Sequence, residues 1–284
     1  MKRSARFSVV LAAILGSVVY CGQDDNRQGS LRRVPPVEMS AYLIRCDNPE
    51  AKVNRLADIL LTSGERAVFS YSENPTTILG TAGDVRIEVY RHSGAWRWGN
   101  PERKYAGTGQ RFGLSDDEVR QVADRFGREH PTLLQLLPEE GLEFEKIGHV
   151  RDRFFDDLTG LFVTRTNSGI ATYRRMLNGH VVVNSGVFIY VDSNGTVVAI
   201  DALWPDIQKE VSARARQLQE VEADLARALP RASIDSQRMM VAYKFDGWAS
   251  SQSLLEPMLF VTDRDDQEHA TPLAVIQLMT RGDR

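Results

Sequence analysis

The chain predicts an α+β architecture, with antiparallel sheets packed against helices in two lobes that meet near residues 138–141, and three stretches carry that expectation. In residues 172–204, Val187, Ile189 and Val191 share one strand face, and the segment from Asp192 to Gly195 supplies a turn in which Gly195 is free to take positive φ. The β-branched run after it then forms a returning strand. In the second stretch, Ser115 followed by Asp116, Asp117 and Glu118 is a capping-box helix start, and Val119, Val122, Ala123 and Phe126 supply its apolar face. In the third, Leu218, Val221, Leu225 and Leu229 form an apolar stripe among mixed charges, which predicts a helix laid on a sheet and ending near Pro230.

Taken in order, residues 1–20 are an export signal: Lys2, Arg3 and Arg6 precede an apolar run too short to span a typical bilayer comfortably. Cys21 follows directly, a placement similar to a bacterial lipoprotein signal, in which that cysteine becomes the lipidated first residue. Tyr20 stands where such signals carry a small residue, so ordinary secretion and an uncleaved signal anchor stay open beside lipidation. Residues 21–36 are polar and proline-terminated, a tether between anchor and folded body. The chain has 2 cysteines, so a disulfide framework does not hold it together, and a bridge from Cys21 to Cys46 arises only if Cys21 keeps its thiol. Cys46 itself suits a partly buried strand end, since nothing near it in sequence supplies the base that a catalytic thiol needs.

The 284 residues, 42% hydrophobic and 26% charged, suffice for one large or two small cores. Loss of the leader takes the formal charge from −3 to −6, which argues against a nucleic-acid partner.

The first lobe is expected over residues 37–137. A strand at 40–46 leads to a helix at 49–61, where Val53, Leu56, Ala57, Leu60 and Leu61 recur on one face. A second strand is expected at 65–71 and a turn-rich connection at 72–83. Val85, Ile87 and Val89 then alternate with charged residues as a half-exposed strand. Trp96 and Trp98 flank Arg97, with Tyr105 nearby. Alternation puts both indoles on one face, which suits either a sheet packed on a helix or a surface that stacks on a glycan or clamps a peptide. Residues 132–137 are expected to add a further helical turn after His130.

The second lobe is expected over residues 138–284. Strands at 142–147 and 158–164 bracket a charged interval that reads as a surface turn. Asp152, Asp156 and Asp157 lack the spacing of a calcium loop there. Tyr173, Arg174 and Arg175, then Asn178 and Gly179, Gly186 with alternating apolar residues, Asp192, Gly195, and Val197 and Val198 up to Trp204, form a pattern that resembles PepSY-like domains and the related propeptide domains of secreted metallopeptidases. A fainter second copy runs through a helix at 217–229, strands at 239–245 and 271–278, and a segment around Pro257 that resembles the family's Leu-x-Pro strand. The resemblance implies adjacent antiparallel strands on a helix and an inhibitory or regulatory role. The metallopeptidase module that often accompanies such propeptides has no counterpart in the sequence, so its activity is not implied.

Known catalytic patterns are absent from the sequence. The 5 histidines (His92, His130, His149, His180 and His269) do not form a His-Glu-x-x-His pair, and there is no nucleophile elbow or phosphate loop. The expectation is a non-enzymatic protein of the bacterial cell envelope, lipid-anchored through Cys21 or else secreted, with no cofactor or metal. It would bind an envelope protein or peptide. A cell-wall or peptide hydrolase and a glycan binder using Trp96 and Trp98 are the alternatives.

Overall fold

The computed structural model describes residues 40–106, 111–156, 161–210, 213–229, 237–248, 250–263 and 274–281. The expected leader, Cys21 and the tether lie outside the described residues. In chain order, β1 (Ala41–Ile44) leads into α1 (Pro49–Leu60) and the short α2 (Ser63–Ala67), followed by β2 (Ser70–Glu73), β3 (Thr77–Ala82), β4 (Val85–Tyr90) and β5 (Trp96–Gly99). Next come α3 (Pro101–Ala106), α4 (Asp116–Glu129), and the two longest strands, β6 (Glu140–Asp156) and β7 (Leu161–Leu177). The second half contains β8 (His180–Asp192), β9 (Val197–Leu203), β10 (Ile207–Glu210), β11 (Ala213–Ala215) and α5 (Leu218–Ala228). It closes with β12 (Gln237–Lys244), β13 (Leu254–Leu255), β14 (Pro257–Asp263), β15 (Ala274–Gln277) and β16 (Met279–Arg281).

Among the described residues, one mixed sheet of 11 strands dominates, a partly curled half-barrel with helices packed against it. From β2 to β5 it is an antiparallel meander, and β5 pairs with β9, which pairs with β8. The sheet forks at β8: β7 and then β6 continue it on one side, while β12 joins in parallel at Val182 and Val183 and carries β14 and β15. Asn178 (φ 51°) and Gly179 (φ 76°) make the tight β7–β8 turn, since both positions need the left-handed region that Asn and Gly tolerate best. At the β8–β9 turn, Asp192 accepts from the amides of Asn194 and Thr196, and Gly195 takes φ 71°.

The main core lies on one face of this sheet. Val53, Leu56 and Ala57 of α1, and Val119 and Ala123 of α4, pack on Ile87, Val89, Ile189 and Ile200. Full burial of each such aliphatic side chain contributes about 1.5–3 kcal/mol. The N-terminus of α4 has the expected form, with Ser115 and Glu118 exchanging side-chain and backbone hydrogen bonds. Tyr173 is buried in this core and donates its hydroxyl to Asp124 at 2.5 Å. On the other face, α3 lies over Tyr190, Val198 and Ala199. Two further clusters complete the fold: Tyr42, Ile44, Tyr243 and Phe245 around β1, and Val221 and Leu225 of α5 against Leu259 and Ile276.

Several local expectations are corrected. Residues 63–67 form α2 rather than strand, because Thr62 and Glu65 make a capping box there. The segment expected as turn-rich contains β3, whose Gly80 admits the Phe69 ring where a Cβ would stand 2.5 Å from it. Residues 132–137 add no helix. The charged interval at 151–156 is strand, part of one long β6–β7 hairpin that extends past the paired length of β8, with Leu161 and Phe162 exposed. A split into two lobes at 138–141 is not what the sheet displays: β5 pairs with β9, and β1 pairs with both β10 and β13, so strands from before and after that point interlock.

Candidate functional site

Among the described residues, charged side chains line one cavity at the start of α1 and another on the sheet face opposite the main core. The first, about 340 Å³, is bounded by Arg45, Cys46, Lys52, Arg55, Asp206 and Gln208. Two of its three cations are held in ion pairs, and the third, Arg55, is held by backbone carbonyls. Lys52, with 9% of its side chain exposed, pairs with Asp206, and Arg45 pairs with Asp47. Arg55 donates to the carbonyl of Thr132 at 2.9 Å. Gly94, at φ 73°, lies so close to Asp206 that a Cβ would stand 2.3 Å from its carboxylate. Burial, and then the neighbouring Asp206 carboxylate, push the Cys46 thiol up to about 12. A thiol of that kind is not a nucleophile at neutral pH.

The second cavity, about 300 Å³, grows from the pleat of β4, β5 and β9. Ile87, Trp98 and Ile200 stand in one cross-strand row and Val89, Trp96 and Ala202 in another, all toward the helices. The intervening row, Glu88, Arg97 and Asp201, must therefore face the opposite side. Trp96 thus belongs to the inner face, 1% exposed, while Trp98 stacks on Phe126 of α4 with ring centroids 6.4 Å apart and also lines this cavity. Trp96 has no free ring to lay on a glycan. Tyr105 lies in α3, and its side chain is outside the described residues.

Arg97 lines the outer cavity. Its guanidinium lies over the Trp248 ring at 4.1 Å, and Trp248 packs on Tyr90 with centroids 5.3 Å apart. A chain segment distant in sequence thus covers one face of the guanidinium, beside the cavity rather than in its lining. Gln252 fixes that segment by donating to the carbonyls of Lys244 and Leu254 and accepting from the Asp246 amide. Across the cavity, Lys104 of α3 donates to Asp201 at 2.6 Å, and Asp201 also accepts from the Tyr190 hydroxyl at 3.0 Å. Arg86, exposed at the mouth, has no ion pair among the described residues. Gly99, at φ 145°, and Ala199 form a low floor, since a Cβ on Gly99 would stand 2.5 Å from that of Ala199.

The remaining residues singled out in the sequence have structural surroundings. Trp204 is 3% exposed beneath the Arg175 guanidinium, which lies 4.5 Å over its ring. Arg175 is itself buried against Glu140 and donates to the Pro205 carbonyl. Ser185 donates to the Leu203 carbonyl at 2.6 Å, and Pro257 begins β14 opposite Tyr243. Asp152 accepts from Asn167. Among the described residues, no group of three or more His, Cys, Asp or Glu side chains is arranged to hold a metal, and no helix is long and apolar enough to cross a membrane.

Tyr90, Arg86, Glu88, Lys104, Asp201 and Trp248 were not singled out from sequence. The alternation of Val85, Ile87 and Val89 already implied that Glu88 and Tyr90 face away from the core, and the same alternation turns Arg97 outward between two inward tryptophans. No local signal joined Trp248 to them.

No family model matches the chain, and no curated protein matches it. Among solved structures it is similar to an uncharacterized protein from Eubacterium rectale, with 11% identity, 86% of this chain and 82% of that chain covered, and a TM-score of 0.45.

Proposed function

We propose that the protein is a non-enzymatic binding or regulatory protein of the bacterial cell envelope, and that it recognises a protein or peptide through the outer cavity around Arg97. The observation that carries this reading is the state of Arg97. Its side chain is 41% exposed, its buried Nε has no hydrogen-bond partner among the described residues, and its nearest carboxylates, Glu88 at 3.7 Å and Asp201 at 3.9 Å, stand beyond hydrogen-bonding length. Buried donors are rarely left unmatched, so an undersatisfied guanidinium held on one face by Trp248 and open to the cavity is suited to receive a ligand. The resemblance to PepSY-like domains supports an inhibitory or regulatory role, and the export signal with Cys21 supports the location.

The hydrolase alternative gains no support from either cavity. The thiol of the first is held protonated, and each carboxylate in the second lies beside a cation. A test is to incubate the purified protein with a synthetic hexapeptide library and measure both retention and peptide mass. Retained, intact peptides are expected, with retention reduced in Trp248→Ala. Cleavage that persists through repurification and is lost on replacing one acid would overturn the reading.

A further inference from the structure

Resting on that reading, we infer that the group the outer cavity takes is a single carboxylate, carried by an Asp or Glu side chain or by the C-terminus of an extended peptide. The cavity holds three cations, Arg86, Arg97 and Lys104, against two carboxylates, Glu88 and Asp201. Asp201 is engaged at close range by Lys104 and the Tyr190 hydroxyl, so it neutralises Arg97 only weakly from 3.9 Å. Glu88 stands 3.7 Å from Arg97 and does not reach Arg86. One positive charge is left over, shared between Arg97 and the exposed Arg86.

That surplus fits a monoanion. A dianionic phosphate group would bring its second charge against Glu88 and Asp201 with no cation to balance it. The planar guanidinium, held flat on Trp248, offers parallel donors that match the two oxygens of a carboxylate. The wall beside it is apolar, with Leu79, Pro101 and Ala199 available to the aliphatic part of a residue carrying the acid. The low floor at Gly99 keeps the approach open, as a side chain there would fill it.

The test uses the full mature protein and matched hexapeptide pools at low salt. One pool is amidated and free of acids, one is amidated with a central Glu, one is free of acidic side chains with a free C-terminus, and one is amidated with a central phosphoserine. The Glu pool or the free-carboxylate pool should bind at least about tenfold more tightly than the acid-free amide, the scale of one charge-assisted pair. Arg97→Gln should erase that preference and Arg86→Gln should reduce it several-fold, both with unchanged thermal melting, while Arg97→Lys restores part of it. Whichever carboxylate pool binds identifies the source of the group. Equal binding of all pools, sensitive to Trp248→Ala but not to Arg97→Gln, would overturn the carboxylate assignment and leave the binding reading standing. Preference for phosphoserine would overturn it as well. Failure of every pool to bind at about 1 mM would overturn both.

Discussion

At the start of α1, Lys52 is closed in and paired with Asp206, and Gly94 abuts the same carboxylate. On the outer face, Arg97 keeps 41% of its side chain exposed and touches no carboxylate at hydrogen-bonding distance. Residue types of the same kind thus do two different things. In the first cavity the charges join β1, α1 and the chain after β9 into a frame. In the second, the framing is done by Lys104 with Asp201 and by Trp248 on Tyr90, which leaves the arginine between them available. Charge content alone does not distinguish a receptor from a brace; the satisfaction of each donor does.

This contrast is sharpest where frame residues are removed. Trp204→Ala should cost about 3–5 kcal/mol in chemical denaturation, because it removes a large buried ring and the surface that covers Arg175. A shift under about 1 kcal/mol would mean that the ring contributes little packing. Asp206→Asn should cost about 2–3 kcal/mol, since it strands Lys52 in a largely buried place, with a discount for the partial exposure of Asp206. Arg97→Gln, by comparison, should change stability by no more than about 0.5 kcal/mol. If Arg97→Gln were as destabilising as Asp206→Asn, the outer cavity would be a second brace.

The frame's brace also sets a pH dependence. Because the folded state holds Cys46 protonated, its raised thiol favours folding fully below the ordinary cysteine range, and that contribution is lost as pH rises from there toward about 12. At pH 8, alkylation of Cys46 in the folded protein should be at least about a hundredfold slower than of a free thiol. Labelling at the free-thiol rate would show that Cys46 is reached and ionised, and would reopen the first cavity as a reactive site.

Much of the fold was legible because single local rules fixed it. Ser115 and Glu118 can satisfy each other only at a helix start, and Asp192 with Gly195 makes a tight turn without help from the rest of the chain. The elements missed are those set by distant partners. β6 and β7 carry charges on both faces in a hairpin whose far part meets no third strand among the described residues, so no alternation marks them. β3 holds a glycine inside a strand because Phe69 fills the space above it. For the site, alternation put Trp96 and Trp98 on one face, but which face became the core depended on where α1 and α4 settle. Once that is fixed, Trp96 is closed into the core, Trp98 packs on α4 while also lining the outer cavity, and the arginine between them is the exposed group.

The central claim is that recognition belongs to Arg97 and not to the charged cavity at α1. The most direct measurement is titration of the Glu-containing hexapeptide pool, and of the same pool with Gln in its place, into wild type, Arg97→Gln and Arg45→Gln. Arg45 lines the first cavity, is largely exposed, and is dispensable for folding on this account. Preference for Glu over Gln should persist in wild type and Arg45→Gln and vanish in Arg97→Gln. Preference that survives in Arg97→Gln and vanishes in Arg45→Gln would contradict the account and move the site to the cavity at α1.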